Sequence, residues 1–150
     1  MTVLIVTALA VIAITLLVHG FGTSWWLHRI GIRYASRERR DGVARKAGVV
    51  IQTVLFMIVL HFAEILLWAA AFMLVAGEEF STFEEAVYFS SVTFTTLGYG
   101  DVTLSSAWRL LSGFEAIGGI VLIGWTTAFL YAVLQRMWQE HLGTKGGSND

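Results

Sequence analysis

Thr95-Thr96-Leu97-Gly98-Tyr99-Gly100-Asp101 stands between two long apolar segments, and its two hydroxyls lead into a Gly-X-Gly step. Glycine enters backbone conformations that other residues avoid, so glycines at alternate positions let successive carbonyls turn to the same side of the chain. A row of carbonyl oxygens facing one axis is a binding site for a bare monovalent cation.

The composition around this loop is that of a membrane protein. The chain has 150 residues, room for one domain, and 56 % of them are hydrophobic against 14 % charged. Mean hydropathy is +0.69. A formal net charge of −1 gives no electrostatic support for nucleic-acid binding. There is no cysteine, hence no disulfide and no thiolate metal site, and no proline, the usual breaker of membrane helices.

Upstream of the loop, Gly77-Glu78-Glu79-Phe80-Ser81-Thr82-Phe83-Glu84-Glu85 carries a helix start. Ser81 or Thr82 can cap it, with Glu84 or Glu85 as the capping-box partner. The helix so begun runs from about Phe83 to Phe94, too short to cross a bilayer. A short apolar helix that ends at a Gly-rich loop, with a full span on either side, reads as re-entrant. Its C-terminal carbonyls carry partial negative charge, which favours a cation at the loop. The five acids Glu78, Glu79, Glu84, Glu85 and Asp101 give this side an anionic rim, which adds solubility and raises the local cation concentration.

The flanking spans are Val49 to Ala76 and Leu110 to Leu134. His61 and Glu64 sit mid-span, three residues apart and so on one face. They read either as a satisfied polar pair between helices or as a proton sensor. Glu115 lies inside the third span, near the back of the loop, where a hydroxyl of the short helix could donate to it. By depth along their helices, Glu64 and Glu115 could share one polar layer. Gly113, Gly118, Gly119 and Gly124 make this span a close-packing one.

Residues 2–18 form an uncharged apolar run of about 17 residues, the lower limit for a span. A cleaved signal peptide is the alternative, but no Lys or Arg precedes the run and no small-x-small site follows it. Trp25 and Trp26 then fit an interfacial aromatic belt. Seven of the ten basic residues lie between Arg29 and Lys46. Short basic loops stay cytoplasmic, which puts the N-terminus outside and the C-terminus inside. Anionic-lipid binding is the other use of such a cluster.

The Thr95–Asp101 loop resembles the selectivity filter of potassium channels, usually Thr-Val-Gly-Tyr-Gly-Asp, and the order of flanking segments is that of the family's pore module, bacterial type, with an extra N-terminal helix. The resemblance covers residues 48–138. It implies that carbonyls of Thr96, Leu97, Gly98, Tyr99 and Gly100, with the Thr96 hydroxyl, replace the hydration shell of K⁺. One loop offers too few oxygens for this, so four copies around an axis are implied, a closed homotetramer in the lipid bilayer. It further implies that Thr95 and Asp101 flank the filter, that Tyr88 and Phe89 buttress Tyr99, that Gly119 or its neighbour Gly118 is the inner-helix hinge, and that Thr127 faces the cavity below. Leu97 replaces the family's Val or Ile, and Val92 stands where some relatives carry Glu.

The expected protein is therefore an all-α membrane protein with three transmembrane helices, a re-entrant pore helix and a filter loop, four-fold symmetric. Its units are 1–47 (first span and basic connector), 48–138 (pore) and 139–150 (a short cytoplasmic tail, polar and disordered). The expected function is passive, K⁺-selective conduction in a cell membrane, on the pattern of a bacterial inner membrane, with no cofactor. A weakly selective cation channel and a non-conducting regulatory subunit are the competing readings. An enzyme is not expected: no nucleophile–base pair or metal-ligand cluster stands out, and the histidines are scattered at 19, 28, 61 and 141.

Overall fold

The computed structural model describes the backbone of residues 1–35 and 43–146, and the side chains of 1–31, 44 and 46–136. Four α-helices make up the described chain: α1 (Thr2–Ala35), α2 (Val43–Ala76), α3 (Phe83–Phe94) and α4 (Arg109–Gly146). A 3₁₀ turn at Gly77–Glu79 joins α2 to the start of α3. Three of the helices are long and apolar enough to cross a membrane, over Thr2–Gly31, Lys46–Glu79 and Arg109–Arg136.

Two boundaries differ from the sequence reading. The first span does not stop near Val18 but continues to Ala35. With no proline to break it, the helix carries His19 through its middle because that side chain finds a buried partner. At the other end α4 runs on to Gly146, so residues 139–146 are helical where a disordered tail was expected; Leu, Gln and Glu there are good helix formers. Residues 147–150 and the connector's Arg37, Arg39 and Arg40 lie outside the described residues.

Burial explains how the helices assemble. On α1 the buried positions are Leu4, Ala8, Val11, Thr15, His19 and Thr23, a single stripe at three- and four-residue spacing. That stripe packs on both α2 and α4, while the remaining surface of α1 is apolar and exposed, as a lipid-facing helix requires. The twelve-residue α3 lies against α2 and α4. Its inward ring Phe89 meets Phe72 edge-on at 5.3 Å and Phe80 at 5.5 Å. Trp68 and Phe72 are wholly buried beneath them.

The start of α3 follows the capping logic, with the choice resolved. Thr82 is the N-cap and accepts from the Glu85 N–H at 3.1 Å. Glu85 reaches back to accept from the Ser81 N–H at 2.7 Å.

Trp25 and Trp26 have roles inside the protein rather than only at a membrane surface. Trp26 stacks on Phe56 with centroids 4.5 Å apart and donates from Nε1 to Thr53 Oγ1 at 3.0 Å, tying α1 to α2. Trp25 is half exposed and carries the Arg29 guanidinium 5.0 Å above its ring.

Candidate ion-conducting site

The loop after α3 is held by the end of the helix that precedes it. Thr96 N–H donates to Thr93 O at 2.9 Å, Leu97 N–H to Val92 O at 2.9 Å, and Gly98 N–H to the same oxygen at 3.3 Å. Thr95 adds its hydroxyl, donating to Ser91 O at 2.7 Å. Carbonyls that a helix end would otherwise leave unpaired are thus satisfied by the loop's own N–H groups. Their first use is to anchor the loop, beyond any dipole they direct at an ion.

The loop backbone alternates. Thr96 has φ 59°, Gly98 φ 59° and Gly100 φ 79°, while Leu97 and Tyr99 between them keep negative φ. Alternating handedness turns successive peptide planes so that their carbonyls share one side. Thr96 is a departure from the sequence reading, which reserved such geometry for glycine. A β-branched residue there costs about 1–2 kcal/mol in backbone sterics, and the hydrogen bond to Thr93 O helps hold it.

Among the described residues, none of the carbonyl oxygens of Thr96, Leu97, Gly98, Tyr99 and Gly100 accepts a hydrogen bond. Five consecutive acceptors without a donor are unusual for a backbone. The side chains between the positive-φ residues are open: Leu97 is 56 % and Tyr99 67 % exposed. An open cleft of about 320 Å³ lies beside the loop's glycines, bordered by Tyr88, Phe89, Val92, Gly98, Gly100 and Asp101.

At the outer end Tyr88 donates its hydroxyl to Asp101 Oδ2 at 2.6 Å. That bond is the leading reason the Asp101 carboxyl is held below the usual carboxylate range and the Tyr88 phenol above its own. Phe89 packs edge-on against Phe72 of α2 and also borders the cleft beside Tyr88. The acidic rim also divides. Glu79 accepts from the Ser105 N–H at 2.9 Å and from its hydroxyl, Glu85 serves the cap of α3, and Asp101 serves Tyr88. Three of the five rim acids therefore brace loops.

Gly119 sits where α4 crosses the end of α3. A Cβ there would lie 2.1 Å from Phe94 O and 2.9 Å from Phe94 C. Gly118 beside it faces Ile12 of α1, at 3.8 Å from such a Cβ. These glycines seat α4 against the neighbouring helices, Gly119 directly beneath the loop. Thr127, one residue from the buried polar groups, has its side chain exposed in the single chain and donates to Ile123 O at 3.0 Å.

Glu115 is fully buried and lies toward Ser90 of α3, but neither side chain completes a hydrogen bond. Glu64 does not share a layer with it. The Glu64 carboxylate accepts from His19 Nδ1 at 2.8 Å and from His61 Nδ1 at 2.9 Å, and beyond them stands Thr126 of α4. Thr126 is about 16 Å along the helix from Glu115. Their depths differ: Glu115 is six residues, about 9 Å, from the start of α4 at Arg109, whereas Glu64 is twelve residues, about 18 Å, from the end of α2 at Ala76.

The expectation of scattered histidines is overturned. One ligand atom from each of His19, His61 and Glu64 lies within 4.8 Å of the others. Sequence separation hid this: His19 is 45 residues from Glu64 and on another helix. A signal was available, since His19 falls on the same three- and four-residue stripe as Leu4, Ala8, Val11 and Thr15.

A bundle of spanning helices around an anchored loop of unpaired carbonyls defines a membrane protein built to pass ions. Residues 49–136, more than half of the chain, match the family model described as ion channel, and the protein belongs to that family of ion channels. The matched segment runs from α2 through α3 and the loop to α4, and α1 lies outside it. No curated protein and no solved structure matches the chain significantly.

Proposed function

We propose that four copies of this chain assemble around an axis into a pore that conducts K⁺ selectively and passively. The observation that carries the reading is the row of carbonyl oxygens from Thr96 to Gly100, without hydrogen-bond donors, on a backbone that alternates in handedness. In the tetramer these oxygens, with the Thr96 hydroxyl, form stacked rings that replace the water around a K⁺ ion. The anchoring of Thr96, Leu97 and Gly98 N–H groups keeps the rings at a set width, so a smaller ion gains less than it loses on dehydration.

The exposed side chains of Leu97 and Tyr99 support the assembly. Leaving them bare would expose the back of the filter, whereas the open cleft beside Tyr88 and Asp101 gives an adjacent copy's Tyr99 a place to pack. In this arrangement α3 enters the membrane only part way and returns through the loop, its carbonyl end toward the axis. Gly119 serves the close approach under the filter and Thr127 faces the cavity. The basic connector lies in the cytoplasm, with the N-terminus and the acidic rim outside. The setting is a cell membrane of the bacterial inner type, and the reaction is transport, with K⁺ as permeant ion and no cofactor or nucleic acid.

Purified protein in liposomes loaded with K⁺ tests the reading. Flux driven by a K⁺ gradient, with a reversal potential that follows K⁺ rather than Na⁺ in mixed salt, is the expected result. A reversal potential indifferent to the two ions makes it an unselective cation pore, and no flux at all makes it a non-conducting subunit.

A further inference from the structure

Conduction makes no use of a polar ring buried between α1, α2 and α4. It is built from His19 of α1, His61 and Glu64 of α2, and Thr126 of α4. Glu64 and His19 have no exposed side-chain surface, and His61 has 18 %. His19 Nδ1 stands 2.8 Å from Glu64 Oε1 and His61 Nδ1 2.9 Å from Glu64 Oε2, so the carboxylate spans the two imidazoles. The second nitrogen of each ring faces a single atom, Thr126 Oγ1, at 2.9 Å from His61 Nε2 and 3.4 Å from His19 Nε2.

Two imidazoles and a carboxylate are the donor set of zinc and its first-row neighbours. One ligand atom from each of the three residues lies within 4.8 Å of the others. His61 and Glu64 are three residues apart on one helical face, and the packing of α1 on α2 brings His19 to them. Around Zn²⁺, bonds of about 2.0–2.2 Å at tetrahedral angles set ligand atoms about 3.3 Å apart. The two Nδ1–Oε pairs reach that spacing by opening about 0.4–0.5 Å, a small rotation of side chains already turned toward one another. The hydrogen-bond partners fit as well. An imidazole that ligates through Nδ1 carries its hydrogen on Nε2, and both Nε2 atoms meet Thr126 Oγ1, which has two lone pairs to accept them. Its own hydrogen is left for Met57 Sδ at 3.9 Å. One hydroxyl thus sets the tautomer and orientation of both rings, as the partners of ligating histidines do in metal sites.

We propose that His19, His61 and Glu64 bind one divalent transition-metal ion of the zinc class per chain, and that this ion fastens the N-terminal helix to the ion-channel module. The ligands are the two Nδ1 atoms and the Glu64 carboxylate; with both carboxylate oxygens engaged the ion has four ligand atoms. Thr126 is a positioning residue that holds both rings. The matched channel segment begins at residue 49, so two of the ligands come from the module and His19 comes from the helix outside it.

The surroundings select among ions. Mg²⁺ and Ca²⁺ take oxygen ligands, and two imidazole nitrogens do not suit them. Aromatic rings wall the site: Phe94 of α3 lies 5.7 Å from the His61 ring, and Trp125 meets His19 edge-on at 5.4 Å. In so apolar a setting the attraction between a divalent ion and the one carboxylate is stronger than it would be in water. The exposed edge of His61 is the side from which an ion enters. The rival is a ring closed by hydrogen bonds alone, which the observed Nδ1–Oε separations also allow and which binds no metal.

Full-length protein, expressed with Zn²⁺ in the medium and dialysed in detergent against metal-free buffer, should keep about one zinc per chain by elemental analysis. Stripping it with a chelator should lower the melting temperature; Zn²⁺ should restore it and Mg²⁺ should not. Glu64→Gln and His61→Gln should lose the metal, whereas His28→Gln combined with His141→Gln, which removes the other two histidines, should keep it. If the ligand variants fail to fold, Thr126→Val, which preserves shape and removes only the hydroxyl, should bind Zn²⁺ about 10–100-fold more weakly in competition with a coloured chelator. A parent that retains no zinc and melts alike with and without it would overturn the site and leave the hydrogen-bonded ring. So would zinc that survives Glu64→Gln, that departs with His28 and His141, or that binds Thr126→Val as tightly as the parent. None of these readouts depends on conduction, so a zinc-bound protein that passes no K⁺ supports the site while defeating the proposed pore.

Discussion

Gly119→Ala is the sharpest single perturbation of this molecule. A methyl at that position would stand 2.1 Å from Phe94 O, against the 3.4 Å at which ordinary contact begins. The helix backbone must therefore move by about 1.3 Å, because the obstacle is a main-chain carbonyl and not a side chain that can turn. Overpacking of this kind costs about 1–3 kcal/mol. The displaced group is the end of α3, whose Val92 and Thr93 carbonyls hold the N–H groups of Thr96, Leu97 and Gly98. Stability and conduction should fall together. Gly113→Ala is the control: a Cβ there meets nothing within 4 Å, and alanine in a helix is favoured over glycine by up to about 1 kcal/mol. Tryptophan fluorescence melting in detergent and K⁺ flux in liposomes are the assays. Gly119→Ala should melt several degrees below the parent with most flux lost, and Gly113→Ala at or above it with flux intact. A Gly119→Ala protein that melts and conducts like the parent would refute the packing argument.

Gly98→Ala and Gly100→Ala should abolish K⁺-selective flux without loss of expression, since each position has positive φ and a Cβ would meet open space, so only backbone strain is introduced. Tyr88→Phe should weaken the outer end of the loop at neutral pH. In the parent the bond to Asp101 is present above the usual aspartate range and lost only as pH falls through the depressed value, so parent flux should persist to below pH 3.8 and the variant should be impaired throughout; identical flux–pH curves would show the bond to be dispensable. Thr82→Ala removes the N-cap of α3 and should cost about 1 kcal/mol, seen as a lower melting temperature. A single cysteine placed at Ser36 in this cysteine-free chain should be shielded from impermeant reagents in intact cells; labelling there would reverse the orientation.

What could be read in the chain, and what could not, separates along the range of the interactions. The helix Phe83–Phe94 was legible to the residue, because Thr82 and Glu85 cap it through backbone groups three residues away and the Gly-X-Gly step ends it. Three apolar spans were legible because a helix in lipid satisfies its own backbone, so composition alone declares it. The anchoring of the loop was half legible: alternate glycines foretell the turning of carbonyls, but nothing local foretold positive φ at Thr96.

The boundaries and the polar interior went otherwise. The end of α1 was missed because His19 looks like a break in an apolar run, and only Glu64, 45 residues on, makes it a buried ring member instead. Phe89 and Tyr88 are neighbours in sequence and part company in space, one into the core against Phe72 and one out to Asp101, since a helix turns by 100° per residue. Glycine's freedom in the loop is a property of the residue and shows in the sequence. The need for glycine at 119 is a property of the crossing with Phe94, visible only once two helices are laid together. Patterning and caps act within a few residues and so determined the helices and the loop. Which polar groups meet inside the membrane depends on how those helices slide and rotate against one another, and the tertiary structure alone decided that.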